Sequence, residues 1–113
     1  MGKNITLVLK EDLGHTNFEI VERKGQGHPD TLSDTLAEKL SNAYSKYALK
    51  HFGAVLHHNF DKVGMMGGKC EVEFGHGKMI EPIRVLLNGR ASSKFGNTVI
   101  NVKELLINET KKF

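Results

Sequence analysis

Residues 24–50 read KGQGHPDTLSDTLAEKLSNAYSKYALK. Within them Leu32, Leu36, Leu40, Ala43, Tyr44 and Tyr47 recur at steps of three and four. That spacing predicts an amphipathic helix over Asp30–Lys50. Pro29 suits its first turn, because the N–H that proline lacks would be an orphan there in any case. Phe52-Gly53 supplies a stop, the glycine being free to take a left-handed cap. Just ahead of the helix, Lys24 to Asp30 bring two glycines, a lysine, a histidine and an aspartate to its N-terminus. Backbone N–H groups there attract anions. This corner is therefore the first candidate site.

Upstream, Ile5–Lys10 reads as a weak strand or extended arm. Asn17–Arg23 reads as a strand, with Phe18 and Ile20 on one face and Glu19, Val21 and Arg23 on the other. Downstream, Ala54–Val63 alternates: Leu56, His58, Phe60 and Lys62 share one face, and His57, Asn59, Asp61 and Val63 the other. Gly64–Gly68 reads as a turn, with Met65 and Met66 as core filler. Cys70, Val72 and Phe74 alternate as a short strand closed by a Gly75-His76-Gly77 turn. Ile80–Asn88 is the most apolar segment and reads as a central strand, although Pro82 sits near its start. Arg90–Asn97 reads as a polar loop. Asn101 with Glu104 makes a capping pair for a second amphipathic helix carrying Val102, Leu105, Leu106 and Phe113. Sheet runs flanked by two helices give an α+β fold. We expect one mixed or antiparallel sheet of about four strands with two helices packed on one face.

The 113 residues suffice for a single domain over 1–113 with one core. The final helix meets no stop signal before Phe113, so the reading expects a chain that continues. Hydrophobic content of 39% and charged content of 26% are those of a folded globular protein. A net charge of +3 favours anionic partners mildly. The single cysteine, Cys70, excludes an internal disulfide and fits a reducing cytoplasm. It is read as a small buried hydrophobe. No apolar run reaches the eighteen residues of a membrane span.

Four groups carry candidate chemistry. His28 offers phosphate oxygens a donor, and Asp30 offers magnesium a hard oxygen ligand. The same residues also suit a plain helix start, with Asp30 as cap and His28 solvated. In the second group, His57 and His58 point to opposite strand faces and make no chelating pair. Asp61 and Lys62 either face the phosphate corner or are solvated strand residues. The third, Gly64-Met65-Met66-Gly67-Gly68, is not followed by the Gly-Lys-Ser/Thr of a P-loop. The fourth, around Arg84, Asn88, Arg90, Ser92, Ser93 and Lys94, suits either a phosphate-gripping loop or an ordinary polar one.

Three blocks, VERKGQGHPDTLSDTLAEKLS (21–41), LHHNFDKVGMMGGK (56–69) and IEPIRVLLNGRAS (80–92), together resemble the N-terminal part of archaeal-type methionine adenosyltransferases, the S-adenosylmethionine synthetases. The resemblance implies that methionine sulfur attacks the 5′ carbon of ATP, and that the expelled triphosphate is then hydrolysed to pyrophosphate and phosphate. It implies that His28 is catalytic and contacts the triphosphate, with Lys62 as a further ATP contact; Arg90 is added as an ATP contact from its position after Gly89 at the end of the 80–88 strand. Asp30 and Asp61 become Mg²⁺ ligands. Whether a monovalent cation assists is left open. It also implies a cytoplasmic homodimer, an active site between subunits, and little activity in this chain alone, because the family's glycine loop for ATP has no counterpart here. The alternative is a small basic nucleic-acid-binding, regulatory or oligomerisation domain. The absence of tryptophan and the presence of only two tyrosines argue mildly against base stacking, while six phenylalanines leave it open.

Overall fold

The computed structural model describes residues 4–10, 14 and 17–113. Helix α1 runs from Pro29 to Phe52. Leu36, Leu40, Tyr44 and Ala48, each four residues on from the last, form its buried line. Gly53 closes it in the left-handed conformation, φ 74°, and donates its N–H to the Leu49 carbonyl at 3.0 Å. The cap at the other end is His28, not Asp30. Its backbone is extended (φ −65°, ψ 138°), and its Nδ1 accepts from the Asp30 N–H at 3.1 Å. The cause lies in Pro29: the residue before a proline is kept out of the helical region. With Pro29 as the first helical residue, His28 must occupy the cap.

Eight short strands follow: β1 (His58–Asn59), β2 (Gly64–Met66), β3 (Lys69–Glu73), β4 (His76–Glu81), β5 (Arg84–Leu86), β6 (Arg90–Ala91), β7 (Lys94–Phe95) and β8 (Thr98–Val99). Helix α2, Val102–Lys112, ends the fold. The α+β class holds, but among the described residues the strands do not join into the expected single sheet of about four strands. The strands pair as four separate two-stranded antiparallel ladders, β1–β6, β2–β5, β3–β4 and β7–β8.

The first three ladders are stations along one long hairpin, since partner numbers converge in step from His58↔Ala91 through Met65↔Val85 to Glu73↔His76. Its turn is Phe74-Gly75, with Gly75 at φ 78°. His76 and Gly77 therefore belong to β4 and not to the turn. The expected Ile80–Asn88 central strand is broken around Pro82 into parts of β4 and β5, each with one neighbour. The expected 64–68 turn contains β2, and the expected 90–97 loop contains β6 and β7. No ladder includes residues 4–10 or 17–23, so the two upstream strands are absent among the described residues.

The hairpin is not regular. Between the pairs Asn59↔Arg90 and Gly64↔Leu86, four residues (60–63) oppose three (87–89). Such a bulge adds twist and re-aims side chains. At Gly89 the two strands approach closely: a Cβ there would lie 2.2 Å from the Asn59 carbonyl oxygen.

The core lies where α1 meets the root of this hairpin and α2. Leu36, Leu40, Tyr44, Phe60 and Ile100 form it, with Val63, Met65, Leu87, Val102, Leu105 and Leu106 packed around. Burying each large side chain contributes about 1.5–3 kcal/mol. Asn101 caps α2 as expected, accepting from the Glu104 N–H at 3.2 Å while its amide donates to the Glu104 carboxylate at 2.9 Å. Met66 and Cys70 lie outside the core and are exposed. Among the described residues no second layer covers β3–β4, so Cys70 meets water. The Cα radius of gyration is 21.4 Å. A compact chain of this length would have about 13 Å.

Candidate functional site

Two charged features flank α1. The first is its N-terminus. His28 Nδ1 accepts a backbone hydrogen bond, so in the neutral ring the proton sits on Nε2, which is left as a donor. The Lys24 ammonium bonds the Asp30 carboxylate at 2.5 Å, and His28 Nδ1 lies 3.9 Å from the same oxygen. All three side chains are exposed. The hydrogen bond from Lys24, reinforced by its charge, holds the Asp30 carboxyl below its ordinary value of 3.8. The same bond raises Lys24.

A carboxyl whose folded pKa is depressed adds stability above its unfolded value and loses it as pH falls through the folded one. Asp30 should therefore titrate below the usual carboxylate range in a carbon-detected NMR titration. Lys24→Ala should return the midpoint upward. An unchanged midpoint in that variant would contradict the pairing. Because both groups are solvated, the shift should shrink with added salt.

The second feature is a pocket at the hairpin bulge, lined by Asn59, Asp61, Lys62, Asn88, Gly89 and Arg90. The Asn59 side chain accepts from the Asp61 N–H at 3.0 Å, a local turn that sets the direction of Asp61. Lys62 Nζ lies 3.6 Å from the Asp61 carboxylate. Arg90 arrives from β6, opposite Asn59. Two cations against one carboxylate leave the pocket net positive, which suits an anion. An adjoining groove joins it to the helix through Ala37, Glu38, Ser41, His57 and His58, again with Asp61.

Asp61, Lys62 and Arg90 are thus brought together. His28 and Asp30 are not joined to them by any hydrogen bond or ion pair among the described residues. Asp30 precedes Ala37, at the groove's edge, by about 10 Å along the helix axis. Among the described residues no group of three histidine, cysteine or carboxylate side chains could hold a metal by itself. Asp30 and Asp61 are single carboxylates, each paired with a lysine. This fits an ion that takes one or two carboxylates and draws its other ligands from substrate phosphates and water.

Arg84 pairs with Met66 along the hairpin, and Lys94 with Val99 in the separate β7–β8 hairpin; neither lines the pocket. The local pattern gave no sign of Ser41 or Tyr44 as polar contacts. Their partners, His58 and Ser92, lie 17 and 48 residues away.

Fold and site together define an α+β unit with a cationic pocket at the root of a long hairpin. A family model described as S-adenosylmethionine synthetase (AdoMet synthetase) matches residues 3–113. The chain is 46% identical over 95 residues to the S-adenosylmethionine synthase of Thermoplasma volcanium, covering 84% of this chain and 24% of that protein. It is 43% identical over 99 residues to the synthase of Caldivirga maquilingensis, with the same coverage of 84% and 24%. An uncharacterized protein of Streptococcus pyogenes serotype M3 is 49% identical over 89 residues, 79% of this chain and 22% of that protein. The chain belongs to the S-adenosylmethionine synthetase family. It spans about a quarter of the length of the curated relatives it matches.

Proposed function

We propose that this chain is the N-terminal, triphosphate-facing part of a methionine adenosyltransferase. The observation that carries the reading is the convergence of Asp61, Lys62 and Arg90, from segments far apart in sequence, on one pocket. In the proposed reaction the sulfur of methionine bonds to the 5′ carbon of ATP while that carbon's bond to oxygen breaks. The triphosphate leaves and is hydrolysed to pyrophosphate and phosphate.

The barrier lies in the charge gathering on the leaving group, so the protein's task is fixed electrostatic complementarity more than proton transfer. His28 offers its Nε2–H to a phosphate oxygen. Lys62 and Arg90 supply counter-charge. Asp30 and Asp61 would hold Mg²⁺, whose role when bound is to neutralise phosphate charge. For Asp30 to do so it must give up Lys24, which leaves that ammonium free for the phosphates.

The chain alone should form no S-adenosylmethionine, since a quarter of the relatives' length supplies only part of a site. We also propose a cytoplasmic homodimer. Cross-strand neighbours share a face. Cys70, Val72 and Met79 therefore make one apolar side of the β3–β4 hairpin, opposite Glu71, Glu73, His76 and Lys78. Val72 is 74% exposed and Met79 54%, and a second copy would cover them. No described helix is long and apolar enough to cross a membrane.

The test is a chimera in which this chain replaces the matching region of the Thermoplasma volcanium synthase. It should convert ATP and methionine to S-adenosylmethionine. His28→Ala and Asp30→Ala should each lower turnover by about 100-fold or more, the scale of losing one stabilising contact to developing charge. Activity that survives both substitutions would overturn the site. A folded chimera that forms no product would overturn the synthase reading of this chain.

A further inference from the structure

His58 is the inward member of the histidine pair, and every polar atom of its ring is engaged. Its Nδ1 lies 2.9 Å from the Leu56 carbonyl oxygen, and its Nε2 lies 2.7 Å from Ser41 Oγ. A carbonyl only accepts, so Nδ1 of the neutral ring carries the proton and donates. Nε2 is then the bare nitrogen, and it accepts from the Ser41 hydroxyl. The ring also packs against Tyr44 and Phe60, with centroids 4.7 and 5.2 Å apart.

One turn along α1, the Tyr44 hydroxyl donates to the Ser92 carbonyl at 2.7 Å. Ser92 donates from its N–H and its hydroxyl to the His57 carbonyl, at 3.0 and 3.2 Å. A single helix face therefore grips both sides of the hairpin root, β1 through His58 and the chain just after β6 through Ser92. The strand residues Asn59 and Arg90, facing each other just beyond these grips, both line the charged pocket. Ser41 and His58 do not line it.

We propose that Ser41 and His58 are a positioning pair for this pocket. By fixing where β1 crosses α1 in one tautomer and one geometry, they hold the Asn59–Asp61 turn opposite Arg90 at the spacing a polyphosphate anion requires. The inference rests on the triphosphate reading of the pocket. Its logic is general: charged ligand groups act only when packing and outer hydrogen bonds lock them.

The test uses the ¹⁵N-labelled chain with magnesium tripolyphosphate as the probe. The imidazole spectrum of His58 should show the Nδ1-protonated tautomer, and Ser41→Ala should mix the tautomers. Ser41→Ala and His58→Asn should each weaken binding by about 10-fold, as for other residues that orient ligands from behind. Asparagine keeps a donor for Leu56 but does not reach Ser41. In His58→Gln the amide oxygen falls where Nε2 lay, so affinity should return to near the original. Melting temperatures should differ little among the variants.

Wild-type affinity in Ser41→Ala, or failure of His58→Gln to restore it, would overturn the inference. If the unmodified chain binds no tripolyphosphate, the triphosphate reading fails instead. The pair is then judged by amide exchange at Asp61, whose N–H bonds Asn59. Faster exchange in Ser41→Ala but not in His58→Gln would support the positioning role, and equal exchange would end it.

Discussion

Gly89→Ala is expected to destabilise the chain by about 1–3 kcal/mol, the usual cost of forcing atoms into occupied space, and to abolish the charged pocket. The alanine Cβ would meet the Asn59 carbonyl oxygen at 2.2 Å, the Phe60 Cα at 3.1 Å and the Asn59 carbonyl carbon at 3.2 Å. All three are backbone atoms, so no rotamer change relieves the contact. The strands must part at the bulge, and Arg90 then loses its place opposite Asn59. Gly68→Ala is the matched control. Its Cβ would lie 2.2 Å from the Glu81 carbonyl oxygen, further out along the hairpin. Both variants should melt earlier in urea, but only Gly89→Ala should lose binding of magnesium ATP. Equal loss of binding in both would mean that the bulge has no particular part in the site.

Leu40→Ala should have the largest effect on stability, about 2–5 kcal/mol. Leu40 is 1% exposed, sits mid-helix, and faces Phe60, Val63, Leu87 and Leu106 across an apolar crevice beside the pocket. Only six hydrophobic side chains are buried among the described residues, so little remains to absorb the cavity. Domains are typically stable by only about 5–15 kcal/mol in total. The variant should therefore be substantially unfolded at a denaturant concentration where the parent is native. Leu49→Ala, on the same helix but 51% exposed, should stay within about 0.5 kcal/mol of the parent. Circular dichroism at 222 nm in a urea series distinguishes the two. Similar midpoints for both would contradict the placement of the core.

The helical half of this fold is legible in the sequence because its signals are local. The four-residue spacing of Leu36, Leu40 and Tyr44 lies within one helix, as does the Asn101–Glu104 cap. The shared face of Leu56, His58 and Phe60 shows in alternation, but Lys62, read on that face, is exposed and Val63, read on the other, packs against the core, because the bulge at 60–63 breaks the alternation. Strand pairing does not show in alternation, because it depends on register between segments up to 33 residues apart, as at His58↔Ala91. The bulge arises from one extra residue on one strand, and no composition marks it.

The turn at Phe74-Gly75 starts one residue ahead of the one read over Gly75-His76-Gly77, since either glycine tolerates a positive φ and only the ladder decides. Cys70 and Met66 read as interior from their residue types, and neither type nor alternation says whether anything covers the face they stand on. The candidate site divides the same way. His28 and Asp30 stand out because cap, proline and glycines are contiguous. The Ser41–His58 and Tyr44–Ser92 ties were invisible, since each joins residues that meet only after α1 docks on the hairpin.

On the proposed reading, the start of α1 and the hairpin bulge form one triphosphate-facing surface. The most direct measurement is a ¹H–¹⁵N NMR titration of the unmodified chain with magnesium ATP. The account expects saturable shifts at the amides of His28 and Asp30 and at Asn59, Asp61, Lys62, Gly89 and Arg90. Tripolyphosphate should reproduce most of them and adenosine few. Shifts confined to the β3–β4 hairpin or spread over the lysines of α2, or no saturable shift at all, would contradict it.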